Sequence, residues 1–315
     1  MIRDLAYQAL QMTLVLALAP GLTGLIRKVK ARLTRRRGAS ILQPYFDLAR
    51  LARKEAIVAD SATSYFRVAP YLIFASTWVA AALVPTFAAG LMFSWSADLI
   101  AIVAILGAGR FALLLAGMDA GTSFGGLGAS REAMFATLAE PAMMSIVFCL
   151  ALLAGSTQLS TIAEFMTTQQ VGLRVTLGMA LVALVMVAIA ENGRIPVDNP
   201  ATHLELTMVH EAMILEYSGR HLALIELAAM LKLLLYVSII GCVFAPWGLV
   251  IDGAGAPLVG LGLYVGKLGL AGVALATFET SIAKMRVFRV PNFLGAALML
   301  GLLGAMLLFV SRTLK

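Results

Sequence analysis

Carboxylates and histidines are concentrated in one polar segment of a largely apolar chain. Residues 191–219 contain five of the seventeen Asp and Glu residues of the protein and two of its three histidines. The acids are Glu191, Asp198, Glu205, Glu211 and Glu216, and the histidines are His203 and His210. A buried charge costs several kcal/mol unless it is paired or neutralised, so such a cluster beside apolar segments does not serve stability. Its residue types favour the transfer of protons or ions.

Other ionisable residues fall inside the apolar segments. Counting about 1.5 Å per helical residue, we expect Glu140, Arg110, Lys232 and Lys267 at comparable depth in four different helices. Left unpaired, each would cost about 3 kcal/mol to insert into a membrane. They are therefore expected either to tether helices together or to carry charge across the membrane.

Glu140 is the leading candidate for proton handling, because a carboxyl among Lys and Arg side chains can be poised to change protonation. Pro141 follows it and frees a backbone carbonyl for water or a side chain. Glu226 and Lys232 are six residues apart and do not face one another on a regular helix. Their spacing suits a relay that follows the helix better than a single ion pair.

Composition identifies the chain as a membrane protein. Hydrophobic residues make up 61% and charged residues 13% of its 315 positions, whereas soluble domains contain about 25% charged residues. The expected fold class is an all-α integral membrane protein, a single domain over residues 1–315 with about eight transmembrane helices plus an amphipathic interfacial helix. Eight apolar stretches approach the roughly 20 residues that cross a bilayer, at about 5–26, 68–90, 98–118, 131–154, 172–190, 222–245, 257–280 and 292–310.

Positive charge is distributed unevenly between the two sides of these spans. Eleven of the 24 Lys and Arg residues fall between Arg27 and Arg67. By the positive-inside rule, this predicts both termini on the outer side of a bacterial inner membrane and segment 191–219 on the inner side. The net charge of +7 is then a consequence of topology and does not indicate nucleic-acid binding.

Residues 40–58 have the period of an amphipathic helix. Gln43, Asp47, Arg50 and Lys54 share one face, and apolar side chains occupy the other. The pattern predicts a helix lying in the membrane interface. Such a helix serves either as a topological anchor or as a docking site for an acidic partner, and the preceding RRRG at 35–38 favours docking.

The sequence offers no site for a redox cofactor or a metal. Cys149 and Cys242 lie inside predicted spans and have no CxxC partner, which argues against disulfide, zinc and iron–sulfur sites. The histidines of segment 191–219 do not form H-E-x-x-H, and neither a P-loop nor G-x-S-x-G occurs. Any redox centre is therefore expected in a partner.

Several motifs together resemble the subunit 1 family of respiratory complex I, and more closely its counterparts in membrane-bound group 4 [NiFe] hydrogenases such as formate hydrogenlyase and hydrogenase 4. They are RRRG at 35–38, LQPYFDLARLARKE at 42–55, DAGTSFGGLGASREAM at 119–134, AEP at 139–141, AGSTQLSTI at 154–162, PVDNP at 196–200, EYSG at 216–219 and FETSIAKMR at 278–286. The resemblance implies a non-redox subunit that anchors a hydrophilic electron-transfer arm beside antiporter-like membrane subunits. It implies [NiFe] and iron–sulfur centres in that arm, which comprises hydrogenase-like large and small subunits and an iron–sulfur subunit.

Residue roles follow from the family's motifs together with the positions of the buried charges. The expected proton-relay or coupling residues are Glu140, Asp198, His203, Glu205, Glu216, Glu226, Lys232 and Glu279. The residues implied at an arm-docking surface or a quinone-like cavity are Arg35, Arg36, Arg37 and Asp60.

Two departures from the family pattern alter these expectations. Ala201 and His203 stand where the family often has the two acids of E-A-E, and RRGAS replaces the RRGPN of quinone-reducing members. A histidine can relay protons in place of a carboxylate, but the changed motif speaks against quinone as a ligand.

The expected function is that of a non-redox membrane subunit of a complex I-like or energy-converting hydrogenase-like oxidoreductase. It would couple electron transfer in the arm to translocation of protons or Na⁺ through buried carboxylates. The alternatives are a stand-alone ion transporter and a purely structural anchor of the complex. A prenyltransferase is disfavoured, because the paired Asp motifs that hold Mg²⁺ and diphosphate do not occur.

Overall fold

The computed structural model describes residues 2–59, 61–88, 93–168, 175–197, 208–249, 257–283 and 285–313. These residues fold almost entirely into helices, and the little β-structure among them includes an isolated bridge between Asp98 and Gln158. Two 3₁₀ turns cover Ser94–Ser96 and Val287–Arg289. The α-helices are α1 (Ile2–Leu33), α2 (Gln43–Ala52), α3 (Ser64–Leu83), α4 (Leu99–Asp119), α5 (Ser123–Ala154), α6 (Leu159–Thr168), α7 (Val175–Glu191), α8 (His210–Ile214), α9 (Gly219–Phe244), α10 (Pro257–Ser281) and α11 (Val290–Thr313).

Within this described part of the chain, seven helices are long and apolar enough to cross a membrane, and α7 is a shorter apolar helix. They coincide with the eight predicted stretches, so the predicted all-α membrane fold is confirmed. Helix α5 begins well ahead of the predicted residue 131. Its start is fixed by Thr122, whose hydroxyl accepts a hydrogen bond from the Gly125 amide at 3.2 Å.

The interfacial helix is shorter than the predicted range 40–58. Helix α2 ends at Ala52, and the residues that follow are not helical. The Ser218 hydroxyl replaces the helical partners of Ile57: it accepts from the Ile57 amide at 2.8 Å and donates to the Ile57 carbonyl at 3.1 Å. Within α2 the predicted polar face forms, because Asp47 accepts hydrogen bonds from Gln43 at 3.0 Å and Arg50 at 2.9 Å.

The spans alternate between two ends of the bundle. We call the end that carries residues 27–67 the basic face and the other end the opposite face. Gln8 and Gln11, near the start of α1, donate to backbone carbonyls at the end of α3, those of Ala82 and Val84. At the basic face, Lys30 of α1 pairs with Glu279 of α10.

Helix α9 lies at the centre of the bundle. It packs against α1, α2, α3, α6, α7 and α10, and its apolar side chains form much of the main core. Helix α11 packs against α5 and α7 on one side of the bundle, while α10 packs mainly against α1 on the other. Two charged residues of α9, Glu226 and Lys232, are therefore largely enclosed by the bundle, where they lie near charges from neighbouring helices.

Candidate functional site: a buried charge cluster inside the helix bundle

Arg110 of α4 is the centre of a buried charge cluster formed with Glu132, Glu140, Glu191 and Lys232. Its Nε lies 3.6 Å from Glu132 Oε1 and its Nη1 lies 3.3 Å from Glu140 Oε1. Its Nη2 forms a close ion pair with Glu191 Oε1. The Lys232 Nζ of α9 lies 2.9 Å from the other oxygen of Glu191. Helices α4, α5, α7 and α9 thus each contribute charge to one site.

The helices are positioned by close packing around this site. Gly109 precedes Arg110 and faces Ser76 of α3, where a Cβ atom would collide with the serine hydroxyl oxygen. The missing side chain lets α3 and α4 approach and directs Arg110 into the interior. On α5, Glu132 and Glu140 are about two turns apart and share a helix face, so one arginine reaches both carboxylates.

Burial differs among the carboxylates of the cluster. Only 3% of the Glu191 side chain and 6% of the Arg110 side chain are exposed, whereas 48% of the Glu140 side chain is exposed. Glu140 lies within a span, so its exposed part projects from the lateral surface of the bundle. The cluster therefore connects the protein interior with the membrane-facing surface of α5.

A small cavity of about 90 Å³ lies at the cluster. Arg110, Glu132, Glu191 and Lys232 line it together with His210 of α8 and apolar side chains. A cavity of this size with several polar walls is suited to hold a few water molecules. Water beside carboxylates provides the contacts that proton transfer requires.

A second group of charges lies nearer the basic face. Glu279 of α10 forms ion pairs with Lys30, whose Nζ lies 2.7 Å from Glu279 Oε2, and with Arg194, whose Nη1 lies 3.5 Å from Glu279 Oε1. Arg27 and Glu226 line the same cavity, whose volume is about 400 Å³. Burial, followed by the charge of Arg27, lowers the pKa of Arg194, and the Glu279 carboxylate opposes this.

One wall separates the two cavities. Asn192, Gly193, His210 and Ala229 line both of them. The Asn192 amide donates to the Ala188 carbonyl at 2.7 Å, so its orientation is fixed by the end of α7. His210 is the titratable residue among the four, and burial, together with the charge of Lys232, lowers its pKa to about 4. It is therefore neutral at physiological pH, with one ring nitrogen as donor and the other as acceptor.

The predicted relay residues are distributed over these two sites. Glu140 and Lys232 belong to the buried charge cluster, and Glu226 and Glu279 line the larger cavity. Glu226 and Lys232 thus face different cavities on α9, which agrees with the prediction that they do not pair. Four predicted site residues lie outside the described residues: Asp60, Asp198, His203 and Glu205.

The remaining predicted residues are exposed at the basic face. Arg35, Arg36 and Arg37 follow the end of α1, and Arg35 has a positive φ of 58°. Glu216 is also exposed and lines neither of the two cavities. These side chains are accessible to a partner, but they are not part of the buried charge cluster.

The expectation that Lys267 shares a level with Glu140 is wrong. Its ammonium group reaches toward the opposite face, where it donates to the Ala245 carbonyl at the end of α9 and lies 5.3 Å from the Trp247 ring centre. A long lysine side chain extends toward the interface in this way to avoid the apolar interior. The residue count along the helix gives the depth of the Cα atom and does not include the length of the side chain.

Sequence reasoning missed two carboxylates of the cluster. Glu191 was assigned to the polar segment because it begins that segment, but it is the last residue of α7 and points into the bundle. Glu132 was not selected at all, although it lies in the predicted span 131–154 that also contains Glu140. His210 was noted only as a residue of the polar segment.

Comparison with known proteins adds a family context. The family model described as NADH dehydrogenase matches residues 6–310. Formate hydrogenlyase subunit 4 of Escherichia coli (strain K12) is 31% identical over 287 residues, which cover 91% of this chain and 92% of that protein. Hydrogenase-4 component C of the same strain is 34% identical over 240 residues, covering 76% and 74%. NADH-ubiquinone oxidoreductase chain 1 of Triticum aestivum is 31% identical over 233 residues, covering 70% of each chain.

A solved structure shares the architecture. The chain resembles one from the membrane-bound sulfane sulfur reductase, described as an archaeal respiratory membrane complex, with a TM-score of 0.81. The match covers 97% of this chain and 99% of that chain at 20% sequence identity. At this identity the likeness establishes a common fold.

Proposed function

The chain belongs to the NADH dehydrogenase family of complex I subunit 1 type, and it is a membrane subunit of complex I-like and hydrogenase-like respiratory complexes. From this premise we propose that it couples electron transfer in a peripheral arm to the translocation of protons or Na⁺. The observation that supports the proposal is the buried charge cluster, which connects the bundle interior to Glu140 at the lateral surface.

The cluster contains one more acidic than basic side chain, which makes its protonation sensitive to nearby charges. Arg110 and Lys232 can neutralise two of the carboxylates among Glu132, Glu140 and Glu191, so full ionisation would leave one excess negative charge. An excess charge inside a membrane protein is costly, and a proton or a nearby cation relieves the cost. A change of charge elsewhere in the assembly therefore alters how firmly the cluster holds a proton.

Glu140 is the exit of the proposed path. Its half-exposed carboxylate lies on the span surface that would face lipid if the chain were alone. A carboxylate at that depth is costly in hydrocarbon, which favours a neighbouring membrane subunit as its cover. That neighbour, of the antiporter-like type, would receive the proton or respond to its charge.

The larger cavity is the entrance of the proposed path. It lies near the basic face and shares the wall of His210 and Asn192 with the cluster. A change of charge at the arm would act first on Glu226 and Glu279, and then on the cluster behind the wall. Such coupling requires that the protein has two states. The charge at the arm and the protonation of the cluster must each favour one state over the other.

The exposed arginines at the basic face support docking of the arm. Arg35, Arg36 and Arg37 follow α1, and Arg50 lies on the exposed polar face of α2. In the proposal they bind the acidic surface of hydrophilic subunits, which carry the [NiFe] and iron–sulfur centres. Quinone has no part in the proposal. In the proposal the basic face lies on the inner side of a bacterial plasma membrane, with both termini outside.

The proposal is tested in the intact complex, purified through a tag on this chain and reconstituted into vesicles. The ions moved per electron transferred are measured for the native protein and for Glu140→Gln, with ionophores that separate H⁺ from Na⁺. The glutamine preserves size and loses the titratable group, so we expect the ratio to fall severalfold while electron transfer in the arm continues.

Glu164→Gln serves as the matched control, because Glu164 lies on α6, away from the cluster. It should leave the ratio unchanged. If fully assembled Glu140→Gln complexes translocate as many ions per electron as the native complex, the cluster is a structural tether and the coupling proposal fails.

A further inference from the structure

A large apolar cavity opens between α7, α9 and α10, apart from the charge cluster. Its volume is about 570 Å³, and it is lined mainly by aliphatic and aromatic side chains. It exists because α10 packs mainly against α1 and only lightly against α9. The cavity runs from Arg194 near the basic face to Lys267 and Trp247 at the opposite face.

The end at the opposite face has the chemistry of a lipid headgroup site. The Lys267 ammonium donates to the Ala245 carbonyl and lies over the Trp247 ring, and 60% of Trp247 is exposed. Among the described residues no carboxylate forms an ion pair with Lys267. Tryptophan and lysine occur together at the level of lipid headgroups in membrane proteins.

Thr86 supplies a second, independent indication. It follows the end of α3 at the opposite face, is only 6% exposed and lines the same cavity. Its hydroxyl has no hydrogen-bond partner in the described structure. A buried hydroxyl without a partner costs free energy, which a polar atom of a bound molecule would relieve.

The size of the cavity restricts its occupant. A spanning helix of 20 residues with a diameter of about 10 Å fills on the order of 2,000 Å³, which is far more than the cavity holds. The volume matches a ligand of a few hundred daltons. An elongated apolar molecule with an anionic end meets the shape, the apolar walls and the cation together.

We propose that this cavity binds one acyl chain of an anionic phospholipid, with its phosphate at Lys267. The Thr86 hydroxyl would donate to an ester or phosphate oxygen, and the chain would fill the space between α10 and the rest of the bundle. The lipid thereby holds α10 in place. This inference does not depend on the coupling role of the charge cluster.

The test uses the complex purified through a tag on this chain and washed extensively in detergent. Phosphatidylglycerol and phosphatidylethanolamine retained per chain are measured by mass spectrometry. We expect the native protein to retain phosphatidylglycerol selectively. Lys267→Gln removes the charge and Ala271→Phe fills the cavity, and each should lower the retained phosphatidylglycerol at least threefold. Lys267→Arg should restore it.

Val265→Phe is the control, because Val265 is exposed on the same helix but does not line the cavity. It should retain the native amount. Equal retention in Lys267→Gln, Ala271→Phe and the native protein would overturn the inference. So would an Ala271→Phe variant that loses a membrane subunit of the complex while its phosphatidylglycerol is unchanged, since a partner would then occupy the cavity.

Discussion

At the scale of single residues, Arg110 holds the charge cluster together, because it contacts all three of its carboxylates. It lies between Glu132 and Glu140 of α5 and Glu191 of α7, and Lys232 also neutralises Glu191. Removing one partner of a buried ion pair is strongly destabilising, since it leaves an uncompensated charge. Arg110 therefore has a stabilising role, which can be tested separately from the proposed proton transfer at the more exposed Glu140.

We expect Arg110→Leu to destabilise the protein by about 3–5 kcal/mol, the usual cost of leaving a buried charge unpaired. The measurement is the thermal unfolding midpoint of the purified protein in detergent. Adding Glu191→Gln should recover part of the loss, because the double variant removes one charge of each sign. A double variant less stable than the single one would show that the ion pair is not what Arg110 provides.

His210 predicts a pH dependence of stability. Its pKa is about 4 in the folded protein, against about 6.5 in an unfolded chain. Below pH 6.5 the unfolded chain binds a proton that the folded protein does not, so stability falls until the pH reaches about 4. His210→Gln lacks this group. As the pH falls from about 6.5 to about 4, the free energy of unfolding of the native protein should therefore drop relative to that of the variant by up to about 3 kcal/mol. Thermal unfolding at each pH measures this difference. A pH-independent difference would contradict the neutral state assigned to His210.

At the scale of elements, the contact between segment 53–59 and the start of α9 depends on one glycine. Gly219 has a positive φ of 52°, and a Cβ atom there would collide with the backbone at Glu55. Both the conformation and the close approach require glycine. The Ser218 hydrogen bonds to Ile57 add to the same contact.

Gly219→Ala should therefore lower the unfolding free energy by more than about 1 kcal/mol and expose segment 53–59. Limited proteolysis followed by mass spectrometry would detect cleavage in that segment. Gly126→Ala is the matched control, because Gly126 lies within α5 and open space surrounds the position of its missing Cβ. Alanine in a helix should be neutral or stabilising there. Equal proteolysis of both variants would remove Gly219 from this role.

The elements differ in how far the sequence predicts them. The spans were predicted because a run of roughly 20 apolar residues has one stable arrangement in a bilayer. The end of α2 was not, because Ser218, far along the chain, takes over the hydrogen bonds of Ile57. The charge cluster was predicted in part: burial cost indicates that Arg110, Glu140 and Lys232 need partners, but pairing with Glu132 and Glu191 depends on helix packing. Lys267 was misplaced because its side chain extends several ångströms from its own level.

At the scale of the whole molecule, the two faces of the bundle have different surfaces. The basic face carries the exposed arginines that follow α1 together with Arg50 on α2. The cavity of about 400 Å³ that Glu226 and Glu279 line lies close behind this face. The opposite face ends in the Lys267 and Trp247 site. An arm that docks at the basic face is therefore next to the cavity that leads to the charge cluster, without any contact to the opposite face.

Docking of the arm at the basic face can be tested on its three neighbouring exposed arginines. Replacing Arg35, Arg36 and Arg37 together by Gln removes three exposed charges from the basic face, and we expect the hydrophilic subunits to dissociate at lower salt than in the native complex. Exposed charges interact over a Debye length of about 10 Å at 0.1 M salt, so the effect should be strongest at low ionic strength. The measurement is the amount of hydrophilic subunits that copurify with the tagged chain across a salt series. Membrane subunits should remain bound, since in the proposal they contact the spans and not the basic face. A control with Arg3→Gln and Arg312→Gln removes charge near the start of α1 and the end of α11, at the opposite face, and should behave as the native complex does. If this control variant lowers the salt concentration at which the hydrophilic subunits dissociate as much as the triple variant does, the net charge of the chain holds the arm, and not the basic face.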